Sequence, residues 1–282
     1  MKDDQLTPGR RILLRTAAVL GLGAAAAGCG ATDRQPAPGP SASEGGPAGG
    51  PQAARARKPS AYRLQPMAGY GPARSRRALP HVRKAPILRM PGRDRAMVLT
   101  FDDGPDPRYT PRILRTLRKH DVRAVFFVCG EMAVDNKDLL REMADDGHLI
   151  GNHTWTHPLL TRMSRAAMRD EIERTSDVIE DVTGDVPTWF RAPYGAWNRN
   201  AFQIGAALGM EPLAWTVDTL DWTEPGAKTI VRRVHAGAGP GVVVLSHDAG
   251  GDRSGSVEAL RSYLPQLLDS GYRITLPHPH FT

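Results

Sequence analysis

Cysteine is nearly absent from this chain: 282 residues contain only Cys29 and Cys129. That count excludes a disulfide-stapled scaffold. Cys129 sits in the apolar run "AVFFVCG" and reads as a small buried hydrophobe, because nothing beside it would activate a thiolate. Long hydrophobic runs are missing as well. The uncharged stretch from Thr16 to Thr32 is rich in Ala and Gly and falls short of the roughly 20 apolar residues a membrane span needs. Neither GxGxxG nor GxxxxGK[ST] occurs, so phosphate cradling finds no support. Internal repeats are not visible. Between residues 30 and 95 a periodic apolar face is lacking too: the run "PAPGPSASEGGPAGGPQAARARKPS" has little to offset the entropy of ordering, and 30–95 reads as a disordered tether.

Acidic residues are scarce in that same tether, which holds 13 Lys and Arg against 3 Asp and Glu. The whole chain carries +7, so residues 96–282 are left with about −5. The basic character belongs to the tether, either as solvated spacing or as attraction to an anionic surface such as wall polymer or lipid headgroups. Nucleic acid is not expected as a partner, because the folded part is mildly acidic and carries no binding motif. Residues 1–29 read as an export signal. "RRILLR" resembles a twin-arginine signal, and "AAGC" at Ala26 to Cys29 resembles a lipobox, with Cys29 as the acylated residue that would anchor the protein to a membrane. Cleavage after an Ala-x-Ala site, giving a soluble secreted protein, is the alternative.

From residue 96 onward, short apolar runs alternate with helical patterns. Strands are expected at 96–100, 124–128, 148–151, 188–191, 211–217, 241–245 and 272–275. Thr110 is placed as the cap of a helix starting at Pro111, and Ser164 as the cap of one running to Thr183 before Gly184. Ser256 is placed at the start of the last helix, which Pro265 should kink or split into two. Seven βα units with parallel strands fit a barrel or an open doubly wound sheet equally, and in both the active site lies at the carboxyl ends of the strands.

The polar residues collect at those ends. "AMVLT" leads to Asp102 and Asp103, "HLIG" to His153 and His157, and "TWFR" closes on Arg191. "EPLAWTV" leads to Asp218, Asp221 and Trp222, and "GVVVL" to His247. His153 and His157 have a spacing that can place two imidazoles on one metal, or can simply mark two histidines near a helix start. A third ligand is needed, and a carboxylate suits a catalytic zinc. Adjacent carboxylates repel unless cations separate their duties, so a metal can take one and Arg191 the other. Asp218 reads as a cap of the following turn; His148, His235, His278 and His280 read as surface or loop residues, and the Gly-rich stretch 248–256 as cleft wall or connection.

The ordered segments "TFDDGP", "HTWTH", "RAPYG", "DTLDW" and "LSH" resemble the polysaccharide deacetylases, family 4 of the carbohydrate esterases, also called the NodB homology domain. The resemblance runs from about residue 96 to 275. It implies an α/β fold, a distorted (β/α) barrel of about seven parallel strands, over a catalytic domain at 96–282. It further implies a metal triad of Asp103, His153 and His157 holding Zn2+ or another divalent ion such as Co2+. Asp102 would be the general base, oriented by Arg191. The backbone N–H of Tyr194 would stabilise the oxyanion, and Trp222 and Leu245 would wall the pocket for the acetyl methyl. His247 would be the general acid, held by Asp221.

The implied reaction is removal of acetyl groups from an N-acetylated glycan, peptidoglycan or a chitin-like chain, by an exported enzyme, expected to be a monomer. An O-deacetylase acting on a substrate such as acetylated xylan, and a wall-glycan-binding protein without activity, are the alternatives.

Overall fold

Alternation along three neighbouring strands sorts their side chains into two layers. In a computed structural model that describes residues 78–92 and 94–278, β1 (Ala96–Asp102) lies between β2 (Val125–Val128) and β7 (Val242–His247), all parallel. Met97, Leu99 and Phe101 of β1, Phe126 and Val128 of β2, and Val242 and Val244 of β7 pack in one large core. Val98, Val125, Phe127 and Val243 pack in another, with Trp189 and Leu213. Successive strand side chains point to opposite faces. Thr100 and Asp102 therefore continue the row that starts at Val98, and Leu245 and His247 continue the row of Val243. These inner rows are apolar at the amino ends of the strands and polar at the carboxyl ends.

The outer core is covered by α1 (Thr110–Lys119), α3 (Lys137–Asp145), α6 (Ala227–Gly237) and α7 (Ser254–Asp269), whose buried residues include Leu114, Met143, Val234 and Leu264. A short α2 (Gly130–Asp135) follows β2. A third cluster joins α4 (Arg165–Thr183) and α5 (Arg199–Ala207) to β4 (Trp189–Phe190) through Met168, Ile172, Phe190 and Ile204. The caps of α4 follow from composition: the Ser164 hydroxyl accepts from the Ala167 N–H, and Gly184 closes the helix at φ 79°.

With β3 (Leu149–Asn152), β5 (Glu211–Pro212) and β6 (Val217–Asp218), the parallel path runs β5-β4-β3-β2-β1-β7-β6, and β8 (Arg273–Ile274) pairs with the start of β1. β5 and β6 stand at opposite edges of this path, yet only Leu213 to Thr216 separate them in the chain. The sheet must curl to bring its edges that close, and the result is the distorted (β/α) barrel.

Several sequence expectations change here. Residues 211–217 form two strands rather than one, because the carbonyls of Leu213 and Ala214 turn to accept hydrogen bonds from Arg191 at 3.0 and 2.9 Å. α7 runs through Pro265 without interruption, with Leu260, Tyr263, Leu264 and Leu267 buried on both sides of the proline. Thr110 is the first residue of α1, after an N-cap at Tyr109. Its hydroxyl accepts from the Asp106 N–H and donates to Asp248. His148 is buried, with Nδ1 accepting from the Ala124 N–H at 3.1 Å, and burial depresses its pKa to about 4.

The expected tether boundary at residue 95 falls too late. Ile87 donates to Pro212 O and accepts from the Ala214 N–H, both at 2.8 Å, and the Met90 N–H donates to Gly241 O at 2.8 Å. Arg83 pairs with the buried Glu211 carboxylate at 2.5 Å. An extended segment bonded through its backbone needs no periodic apolar face, so composition does not reveal it. The segment read as an export signal, the expected lipidation site Cys29, and residues 30–77 and 93 of the expected tether lie outside the described residues.

Candidate active site

Arg191, fully buried, organises the base of the site. Its Nη1 donates to Asp102 Oδ1 and to Thr100 Oγ1, each at 2.7 Å, and Nε and Nη2 go to the two carbonyls of the β5–β6 connection. The guanidinium carbon lies 4.1 Å from the Phe127 ring centroid. Burial pulls the arginine pKa down and the Asp102 charge pulls it up, which leaves a cation with its donors matched to oxygens. Asp102 thereby has one oxygen committed, while Oδ2 faces the cavity side, 3.6 Å from His153 Nε2.

Strand alternation would send Asp103 outward, toward the layer that holds Phe101. A left-handed backbone at Asp103, φ 78°, redirects it. Its Oδ1 lies 3.5 Å from His153 Nε2 and 3.4 Å from His157 Nε2. The His153 Nδ1 is 2.8 Å from the Arg191 carbonyl, which can only accept, so Nδ1 carries a hydrogen and the neutral ring would present its lone pair on Nε2. "HTWTH" is a loop rather than a helix start, with Thr154 at φ 70° and His157 at φ 57°. Conformations of this kind persist only where surrounding structure imposes them.

Asp103 Oδ1 is buried and has no hydrogen-bond partner among the described residues. Together the ligand atoms of Asp103, His153 and His157 lie within 4.8 Å of one another. Atoms bonded to one zinc at about 2.0–2.2 Å stand roughly 3.3–3.6 Å apart around a tetrahedron. The observed 3.4 and 3.5 Å separations from Asp103 Oδ1 match that spacing, so the donor set fits a divalent ion. Burial opposes ionisation of Asp103, but contact with His153 and the fields of His247 and His157 hold its pKa at about 2. Burial also lowers the His157 pKa, which favours the neutral imidazole a cation requires.

Across the cavity, Asp221 Oδ1 accepts from His247 Nδ1 at 2.6 Å, and Oδ2 accepts from the His247 N–H at 2.9 Å. Burial would lower the His247 pKa, yet the Asp221 hydrogen bond and charge, with Asp103 and Asp102 behind them, raise it to about 9. The cavity, about 710 Å³, is lined by Asp102, Asp103, His153, His157 and His247 together with Tyr194, Trp222 and Leu245, while Arg191 and Asp221 hold their partners from behind this wall. Trp222 is 56% exposed and Tyr194 67% exposed, so neither serves as core. Tyr194 has φ 61°, and the hydrogen bonds of its turn come from the Gly195 and Ala196 N–H groups. Asp218 accepts from the Leu220 N–H at 2.8 Å, forming the turn cap, and also lines the cavity. Cys129 reaches the same wall, but burial raises its thiol pKa and keeps it inert.

Sequence reasoning missed the residues that hold this constellation. Asp248, fully buried, accepts from the Gly104 N–H at 3.1 Å and from Thr110 Oγ1 at 2.5 Å, tying the Asp103 turn to α1. Burial raises its pKa to about 7. Ser256 Oγ donates to Asp221 Oδ2 at 2.6 Å. Buried Arg253 donates to the carbonyls of Ala249, Gly250 and Asp221 and so fastens the Gly-rich loop. Only Asp248 had a local signal, its place directly after His247 at a strand end.

Residues 89–213 match the profile of the family described as "Polysaccharide deacetylase". A chitooligosaccharide deacetylase of Rhizobium leguminosarum bv. trifolii is 38% identical over 192 residues, 64% of this chain and 89% of that protein. The chain belongs to the polysaccharide deacetylase family. Among solved structures, the Bc1960 peptidoglycan N-acetylglucosamine deacetylase superposes with a TM-score of 0.66 at 37% identity, over 68% of this chain and 90% of that one. A CE4 family pseudoenzyme of Bacillus anthracis superposes with a TM-score of 0.63 at 33% identity, over 67% of this chain and 66% of that one. The chain spans about two fifths to two thirds of the length of the curated peptidoglycan-N-acetylglucosamine deacetylases it matches. Since this polysaccharide deacetylase fold includes a pseudoenzyme, the site residues must carry the case for catalysis.

Proposed function

We propose that this protein is a metal-dependent hydrolase that removes acetyl groups from N-acetylated glycan, with peptidoglycan or a chitin-like chain as substrate. The observation that carries the reading is one cavity presenting two separate sets: Asp103, His153 and His157 around a carboxylate oxygen with no hydrogen-bond partner among the described residues, and His247 closed onto Asp221. Names of relatives that act on peptidoglycan and on chitooligosaccharide support the substrate class.

A zinc or similar divalent ion held by Asp103, His153 and His157 would supply a Lewis acid that readies water for attack and polarises the acyl oxygen. The chain's own residues account for the proton traffic. Asp102, with Oδ1 held by Arg191, takes a proton from the attacking water on Oδ2. The Tyr194 N–H faces the oxygen on which negative charge develops. Trp222 and Leu245 wall the space for the methyl group. His247, kept protonated by Asp221, gives its proton to the sugar nitrogen as the C–N bond breaks, leaving acetate and an amine.

Export by the twin-arginine-like segment, with Cys29 lipidated, would put the catalytic domain within reach of wall glycan. Acetate release from N-acetylchitooligosaccharide, peptidoglycan and acetylxylan is the deciding measurement. Release from an N-acetylated substrate, abolished by chelator and restored by zinc, is expected. Release from acetylxylan alone would replace this reading with an O-deacetylase, and zinc-loaded protein inactive on all three would make it a binding protein.

A further inference from the structure

The loop between the two candidate histidine ligands leaves β3 without entering a helix or a ladder, so its backbone donors need other partners. Two of them find one side chain. Glu171, in the second turn of α4 and 9% exposed, accepts on Oε2 from the Trp155 N–H at 2.9 Å and the Thr156 N–H at 2.8 Å. Its Oε1 accepts from Thr156 Oγ1 at 2.9 Å. Successive N–H groups converging on an anion form a nest, and bonds to a charged acceptor are the strong kind.

The same helix holds the loop from other directions. Asn152 accepts from the Thr154 N–H at 2.9 Å and donates to Ile172 O at 2.7 Å and Ser176 Oγ at 3.0 Å. The Arg174 guanidinium lies 4.0 Å from the Trp155 ring centroid. On the far side, the N–H groups of Gly130 and Glu131 donate to Thr154 O and Trp155 O. A Cβ at Gly130 would meet the Trp155 ring at 2.2 Å, so the loop is seated without room to shift. Left-handed residues at Thr154 and His157 bracket the two residues that Glu171 grips.

We propose that Glu171 is the positioning residue of the metal site: its carboxylate is the template on which residues 155–156 fold, and it thereby sets the separation of the His153 and His157 imidazoles. The inference rests on reading Asp103, His153 and His157 as metal ligands. Glu171→Gln keeps the size of the side chain but removes its charge and turns one acceptor into a donor. Glu173, two residues on and paired with Arg169 on the open side of α4, is the control.

The experiment uses the full-length chain stripped of metal. Amide hydrogen exchange at Trp155 and Thr156 is followed by NMR, and zinc affinity by competition with a chromophoric chelator. Glu171→Gln is expected to speed exchange at both amides at least about tenfold and to raise the zinc Kd about 10–100-fold, with unchanged far-UV circular dichroism, while Glu173→Gln alters neither. Wild-type exchange in Glu171→Gln, or faster exchange with an unchanged zinc Kd, overturns the proposal. If Glu171→Gln does not fold, Thr156→Val removes only the hydroxyl bond: a zinc Kd raised about threefold supports the proposal, and an unchanged Kd overturns it. Wild-type protein that binds no zinc rejects the metal reading itself, and the metal half of the proposal with it.

Discussion

Asp221 with His247, and Asp103 with His153 and His157, use the same two residue types in one cavity and do opposite things with them. In the first set carboxylate and imidazole meet at 2.6 Å, and both Asp221 oxygens are taken by His247 and Ser256. The positive charge of an imidazolium is satisfied inside the pair, and the His247 pKa rises to about 9. In the second set the nearest approach is 3.4 Å, and the Asp103 oxygen between the two rings has no hydrogen-bond partner among the described residues. A closed pair stores a proton; an open set of the same groups leaves lone pairs converging on a space that a cation can fill. Less than an ångström in the separation of carboxylate oxygen and ring nitrogen, 2.6 against 3.4 Å, distinguishes the two chemistries.

The largest effects should come from breaking the sets one at a time. His157→Ala should bring zinc binding below detection by calorimetry, whereas His247→Ala should bind zinc like the wild type, although each lowers kcat/KM by about 10²–10⁴. Loss of zinc from His247→Ala would erase the distinction between the sets.

A pH profile sharpens the same contrast. His247 must be protonated to donate, so activity should persist below its raised pKa of about 9 and fall above it. Asp221→Asn removes the group that raises this value, so the alkaline limb should move down toward the ordinary histidine range, with kcat/KM lost progressively at pH 7–9. An unmoved limb would mean that another group sets it.

The smallest effect concerns a carboxylate that belongs to neither set. Among the described residues, the partners of the Asp248 carboxylate are the Gly104 N–H in the turn after Asp103 and the Thr110 hydroxyl at the start of α1. Thr110→Val should therefore cost about 1–3 kcal/mol of stability in urea unfolding and leave the alkaline limb of the pH profile in place. A shifted limb would tie Asp248 to proton transfer.

The groups that face the substrate were legible because each stands at the end of an apolar run: Asp102 after "AMVLT", His247 after "GVVVL", Arg191 closing "TWFR". Their supports were not. Glu171 sits at an unremarked position of an amphipathic helix, and Ser256 and Arg253 look like ordinary residues of a Gly-rich stretch. Each acts on a partner between about 15 and 35 positions away, as in Glu171 with Thr156 and Ser256 with Asp221. Local periodicity carries no record of such pairings. The break in 211–217 was hidden for the same reason, since its cause is the guanidinium of Arg191, directly after β4, that takes the carbonyls a strand would otherwise use.

Strand periodicity and chain order by themselves determined which residues would stand at the carboxyl ends of parallel strands, because alternation and burial are short-range properties written in neighbouring residues. Tertiary structure alone decided that Asp103 turns back beside His153 while Asp221 closes on His247. Those distances are set by left-handed turns and buried hydrogen bonds to α1, α4 and α7, and such constraints exist only once the sheet has curled and the helices have docked against it.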